Sequence, residues 1–149
     1  MASLILLSKL DSLQRCLSRI STKTPGHADI LQQDLDLQDI IAINLERAVQ
    51  ICVDIAAHII AVKNVPAPAT MAESFDRLFD LKVISKKTAG QMKNAVGFRN
   101  ISVHEYQKID WLIVYRIITE HNEDFKDFAR QIMAWAEKHE ETLPAGTKD

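Results

Sequence analysis

Apolar residues recur along this chain at steps of four and three, the spacing of one face of a helix. Leu6, Leu10, Leu13, Leu17 and Ile20 keep that spacing and predict an amphipathic first helix. Thr24-Pro25-Gly26-His27 ends it, and a short helical turn is expected over 28–35 before the next long element. From 38 to 63 the spacing predicts a long helix with Ile41, Leu45, Ala48, Cys52, Ile55, Ile59 and Val62 on one face. Its other side is apolar too, through Val49, Val53, Ala56 and Ile60, and polarity is confined to Arg47, Gln50, Asp54 and His58. A helix apolar nearly all round is buried on two sides. One side is expected against the bundle and the other against a partner subunit. Asp54 and His58, four apart, are placed to pair with each other or to border a functional groove together with Arg47.

Asn64-Val65-Pro66-Ala67-Pro68-Ala69-Thr70 breaks that helix as a proline-stiffened linker. A short helix with Phe75, Leu78 and Phe79 inward follows, and then a helix capped by Ser85 that docks through Ala89, Met92, Val96 and Val103. His104 and Tyr106 are two apart and would diverge by about 200° on a continuous helix, so the helix either ends near Glu105 or turns Tyr106 elsewhere. Asp110 can cap a last helix. There Trp111, Val114, Ile118, His121, Phe125, Phe128, Ile132 and Trp135 keep the four-three spacing, which makes His121 a core or interface residue.

The 149 residues, 47% hydrophobic and 26% charged, suit one domain over 1–141 with a fraying tail at 142–149. Only four glycines and four prolines disfavour a turn-rich β fold, and the expected class is an all-α bundle of four main helices with one or two short ones. Cys16 and Cys52 stand alone on separate helices, as reduced core thiols do, and not in a zinc or disulfide pattern. No apolar run is long enough for a membrane span, and a cytoplasmic protein is expected. No phosphate-binding glycine loop, HExxH or Gly-x-Ser-x-Gly motif occurs, and neither a metal nor a cofactor is expected. A net charge of -2 argues against a promiscuous RNA binder: if RNA binds, one local groove must supply the phosphates' partners.

One helix face breaks the apolar rule. Lys86, Gly90, Lys93, Gly97, Asn100 and His104 step by four and three, and between Leu81 and His104 stand five basic residues and no acid. Two glycines inside a helix cost about 1 kcal/mol each against alanine, but they let another backbone come close. Arg99 precedes His104 by about 7.5 Å of helical rise, so its side chain can converge with the imidazole on one phosphate. Asn100 sits one turn before His104 and is placed to orient its ring. Histidine ordinarily titrates near 6.5, and beside a permanent cation it suits phosphodiester chemistry.

These residues carry a resemblance. Arg99-x4-His104-x-Tyr106, within Gly97-Phe98-Arg99-Asn100-Ile101-Ser102-Val103-His104-Glu105-Tyr106, resembles the R-x4-H-x-Y motif of the HepT toxins of the HEPN ribonuclease group. Asn44-Leu45-Glu46-Arg47-Ala48 and Ser74-Phe75-Asp76 occur in similar order, so the resemblance covers roughly residues 1–140. It implies a homodimeric HEPN-type bundle and a metal-independent endoribonuclease, the toxin of a type VII toxin–antitoxin pair acting on mRNA or tRNA. Arg99 and His104 would be catalytic, with Asn100 orienting the histidine and Lys86, Lys93, Gly97, Arg47 and Asp54 lining the RNA groove. It further implies that a minimal nucleotidyltransferase antitoxin of the MntA kind neutralises the toxin by AMPylating Tyr106. The alternative reading is a non-catalytic HEPN module whose basic groove binds a nucleotide or a partner protein.

Overall fold

The computed structural model describes residues 3–139, which form seven α-helices and one 3-10 turn with no strand among them. Four helices are long: α1 (Leu4–Lys23), α3 (Leu35–Val62), α5 (Lys86–His104) and α7 (Asn122–Lys138). Three are short: α2 (Ala28–Gln33), α4 (Met71–Asp80) and α6 (Trp111–Glu120), with the 3-10 turn at Tyr106–Lys108. The all-α expectation holds, and the short elements exceed the expected one or two because the last helix is divided. The tail expected beyond residue 141 lies outside the described residues. No described helix is long and apolar enough to cross a membrane.

Helix starts follow from side chains that satisfy otherwise unpaired backbone N–H groups. The Ser3 hydroxyl accepts from the Leu6 N–H, the Asp34 carboxylate from Leu37, Thr70 from Glu73, Ser85 from Thr88 and Asp110 from Leu112. Asp34 starts α3 three residues earlier than its apolar spacing does. Helix α3 is the axis on which α1, α4 and α5 pack. Both of its apolar faces are buried by the chain itself: Val49, Val53, Ala56 and Ile60 are as enclosed as Ile41, Leu45 and Ile55. The second apolar face therefore does not call for a partner subunit.

Three single-residue expectations are corrected. Phe79 is 41% exposed, because α4 buries the line Ser74, Phe75 and Leu78 and the next position turns away. Val103 is 43% exposed, since its neighbour Ser102 takes the inward position. His121 is exposed and joins α6 to α7, with its Nδ1 3.2 Å from the Asp124 carboxylate. A one-residue interruption leaves the four-three phase intact, so the spacing alone cannot register the break. Cys16 and Cys52 are free and buried as expected, and burial pushes both thiols up.

Candidate active site

Helix α5 ends at His104, where the Glu105 N–H closes the last turn on the Ile101 carbonyl at 2.8 Å. The chain then tightens into the 3-10 turn, which reverses Tyr106 back toward α3. The early end of α5 expected from the His104–Tyr106 spacing is what frees Tyr106 to do this. Its hydroxyl donates to Asp39 Oδ1 at 2.7 Å, and its ring lies edge-on to Trp111 with centroids 5.9 Å apart. A second tether lies four residues back, where the buried Ser102 hydroxyl donates to Glu46 Oε2 in a short hydrogen bond. Asp39 and Glu46 are seven apart, two turns along one face of α3. The motif is thus pinned to α3 at two points. Arg99, half-buried, and His104, exposed, stand on the last two turns of α5 beside these tethers.

Burial, with help from the accepting Asp39 carboxylate and the nearby Glu46 charge, holds the Tyr106 phenol well above its ordinary value. A tyrosine phenol is neutral at physiological pH in any case, and this one keeps its proton while donating a hydrogen bond to Asp39. No hydrogen bond joins Asn100 to the His104 ring among the described residues: the Asn100 amide oxygen accepts from Arg99 Nη1 at 3.4 Å, a long contact between adjacent side chains. The His104 ring makes no hydrogen bond among the described residues, which leaves its nitrogens open to a substrate.

The other candidates spread more widely than one helical stripe suggests. Lys86 opens the 19-residue α5 and His104 closes it, which separates them by about 27 Å. Lys93 pairs with Asp76 of α4 at 3.2 Å. Gly97 and Gly90 both face open space, where an added Cβ meets nothing within 4 Å. Asp54 takes Lys9 of α1 at 3.5 Å and the Gln50 amide at 3.0 Å, so the expected Asp54–His58 pair does not form. The His58 Nε2 is buried without a partner among the described residues, and burial pushes that imidazole down. Arg47 is exposed and borders a shallow pocket with Arg15 and Arg19, on the side of α3 that meets α1.

Asp39, Glu46 and Ser102 are the site residues that sequence reasoning missed. The available signal was two acids seven apart on the same face of a helix otherwise read as apolar. Beside the motif, α3, α5, α6 and the start of α7 enclose an apolar groove of about 350 Å³ lined by Leu45, Val49, Met92, Phe98, Ile113 and Ile117.

The profile of the family described as Ribonuclease HepT-like matches residues 13–132. The mRNA nuclease HepT of Shewanella oneidensis is 35% identical over 130 residues, which covers 87% of this chain and 97% of that protein. A solved structure of a tri-AMPylated Shewanella oneidensis HEPN toxin in complex with an MNT antitoxin superposes with a TM-score of 0.82 at 35% identity, covering 87% of this chain and 97% of that one. A toxin–antitoxin complex with AMP-PNP gives the same TM-score at 34% identity, covering 87% and 98% respectively.

Proposed function

The chain belongs to the HepT-like ribonuclease family, and from that membership we propose that it is the toxin of a toxin–antitoxin pair, an endoribonuclease that cuts RNA in the cytoplasm without a metal ion. The observation that carries the assignment of roles is the end of α5. There Arg99 and His104 sit on consecutive turns, and the His104 ring has no hydrogen-bond partner among the described residues. His104 takes the proton of a ribose 2′-hydroxyl as that oxygen attacks the adjacent phosphorus. The bond to the 5′-oxygen breaks, and a proton returned by a general acid completes the leaving group. Arg99 faces the non-bridging oxygens, where charge builds in the transition state. Ser102 and Tyr106 hold the motif at a fixed angle to α3.

RNA cleavage by the purified protein in EDTA tests this reading. Loss of cleavage in both Arg99→Ala and His104→Ala is the expected result. Absence of cleavage by every preparation would leave the binding-module reading in its place.

Two copies are taken to share the cleft. Support for this comes from the end of α5 and the start of α6, where Ile101, Val103, Leu112 and Ile113 are each between 43% and 53% exposed. Such a patch beside the motif is what a second copy would cover. Sedimentation should give twice 16.8 kDa, and a monomer at micromolar concentration would refute a shared cleft.

Tyr106 is proposed as the residue that a nucleotidyltransferase antitoxin modifies with AMP. Its half-exposed position next to Arg99 and His104 supports this, as does the AMPylated state of the Shewanella toxin. Each AMP would bring negative charge into the cleft and repel the RNA backbone. Tyr106→Phe keeps the ring and removes the acceptor oxygen, so the mutant should remain toxic when the antitoxin is co-expressed and should gain no AMP by intact mass.

A further inference from the structure

We infer that Asp39 is the general base of the modification reaction, accepting the phenolic proton as Tyr106 takes its first nucleotide; this rests on the reading above that Tyr106 is the modified residue. The two residues are 67 positions apart in the chain, yet the Tyr106 hydroxyl donates directly to Asp39 Oδ1 at 2.7 Å. That contact already has the geometry of a proton transfer. Both residues are exposed, so a nucleoside triphosphate carried by a partner protein can approach the phenol while Asp39 stays in place.

Nucleotidyl transfer forms a bond between the phenolic oxygen and the α-phosphorus of the triphosphate. The bond from that phosphorus to pyrophosphate breaks, and its electron pair leaves with the pyrophosphate. The O–H bond of Tyr106 must also break, with its electrons retained by the attacking oxygen and its proton moving to a base. A phenol hydrogen-bonded to a carboxylate is neutral at physiological pH and does not ionise beforehand, so the base has to act during the attack. Asp39 is the carboxylate in place. Glu46, the other acid that faces Tyr106 from α3, already accepts from Ser102, and Glu105 is engaged by Lys108 at 2.7 Å.

The product also bears on the fold. A phosphodiester on Tyr106 has no hydrogen to donate and sets a negative charge beside Asp39. The tether between the 3-10 turn and α3 is therefore lost with the first AMP.

One phenol oxygen carries one nucleotide, so AMP units beyond the first must attach to other hydroxyls. This supplies an internal control. The full chain, Asp39→Asn and Tyr106→Phe are each incubated with the cognate nucleotidyltransferase antitoxin, ATP and magnesium, and intact mass is followed over time. Asparagine keeps an oxygen to accept the phenol hydrogen bond but cannot take up the proton. Asp39→Asn, with wild-type helical circular dichroism, should slow the first AMP addition by about 100-fold. Later additions should proceed at the wild-type rate, so partly modified species should become scarce. A first addition within threefold of wild type would overturn the role of Asp39 and leave that of Tyr106 standing. A wild type that gains no AMP, or a Tyr106→Phe that gains as much, would remove the Tyr106 reading and the Asp39 inference with it.

Discussion

The two ends of α5 are built for different work, although the sequence presents them as one stripe. At the Lys86 end, polar groups are tied into packing. The Ser85 N–H donates to Gln131 Oε1 at 2.7 Å, Gln131 Nε2 donates to the Thr88 hydroxyl at 2.7 Å, and Thr88 and Ala89 are buried. At the His104 end only Ser102 faces inward, while Ile101, Val103 and His104 project outward. A helix packed at one end and, at the other, tied to α3 through Ser102 but otherwise open can hold reactive groups in place without enclosing them. About 27 Å of helix separates the two ends, so Lys86 cannot share a phosphate with His104. If it meets RNA at all, it does so several nucleotides away.

The largest expected effect lies at the open end. His104→Ala should lower RNA cleavage by at least 100-fold, and Arg99→Ala by a similar factor. Neither side chain makes a hydrogen bond or ion pair to another helix among the described residues, so unfolding free energy should change by less than about 0.5 kcal/mol. Cleavage kinetics and denaturant unfolding on the same samples check this. A loss of stability that matched the loss of activity would make His104 a structural residue and erase the contrast between the ends.

Ser102→Ala tests the tether between the two regimes. It removes a hydrogen bond to a partly buried carboxylate and leaves Glu46 without that donor, at a cost of about 2 kcal/mol. Cleavage should fall about tenfold through kcat, because the motif loses its fixed angle to α3. A mutant with normal kcat would show that the end of α5 holds its position without α3. At the anchored end, Thr88→Val should cost about 1–2 kcal/mol by leaving Gln131 without its acceptor, while cleavage well below the melting temperature is unchanged.

The helices were legible because burial imposes a period on the sequence, and that period survives the loss of every other detail. The limits of α5 could be read from Ser85 and from the divergence of His104 and Tyr106, and the fold class followed from the spacing. Pairings were not legible. Asp39 meets Tyr106 and Glu46 meets Ser102 across 67 and 56 residues, and a period records which face a residue is on, not what it meets there. Asn100 lay within reach of His104 by spacing, but the contact its oxygen makes is with its neighbour Arg99. The two-sided apolar surface of α3 suggested a partner subunit, yet α1, α4 and α5 of the same chain cover α3. Exposed apolar residues occur at the motif, on Ile101, Val103, Leu112 and Ile113, and also at Leu4, Ile5 and Leu35, at positions that looked ordinary in the sequence.

The smallest expected effect separates the two ends most finely. Gly90 and Gly97 lie on the same face of α5, and neither has a heavy atom within 4 Å of where a Cβ would stand. Within a single chain the two sites are therefore equivalent, and alanine at either should stabilise the helix by about 0.5–1 kcal/mol through lower unfolded-state entropy. They should differ only if something outside the chain approaches one of them. Gly97 lies two turns before His104, where RNA or a second copy would pass. Gly90 lies near the anchored end. The expected outcome is that both substitutions raise the unfolding midpoint alike, while Gly97→Ala alone lowers cleavage, by about two- to fivefold. A methyl group at a close backbone approach forces a shift of a few tenths of an ångström, and catalysis depends on that geometry. Equal activity in the two alanine variants would mean that neither glycine is approached, and the glycine-lined face would then have no part in binding. Equal loss would place the substrate or partner along the whole of α5, and the division between its ends would hold for chemistry alone.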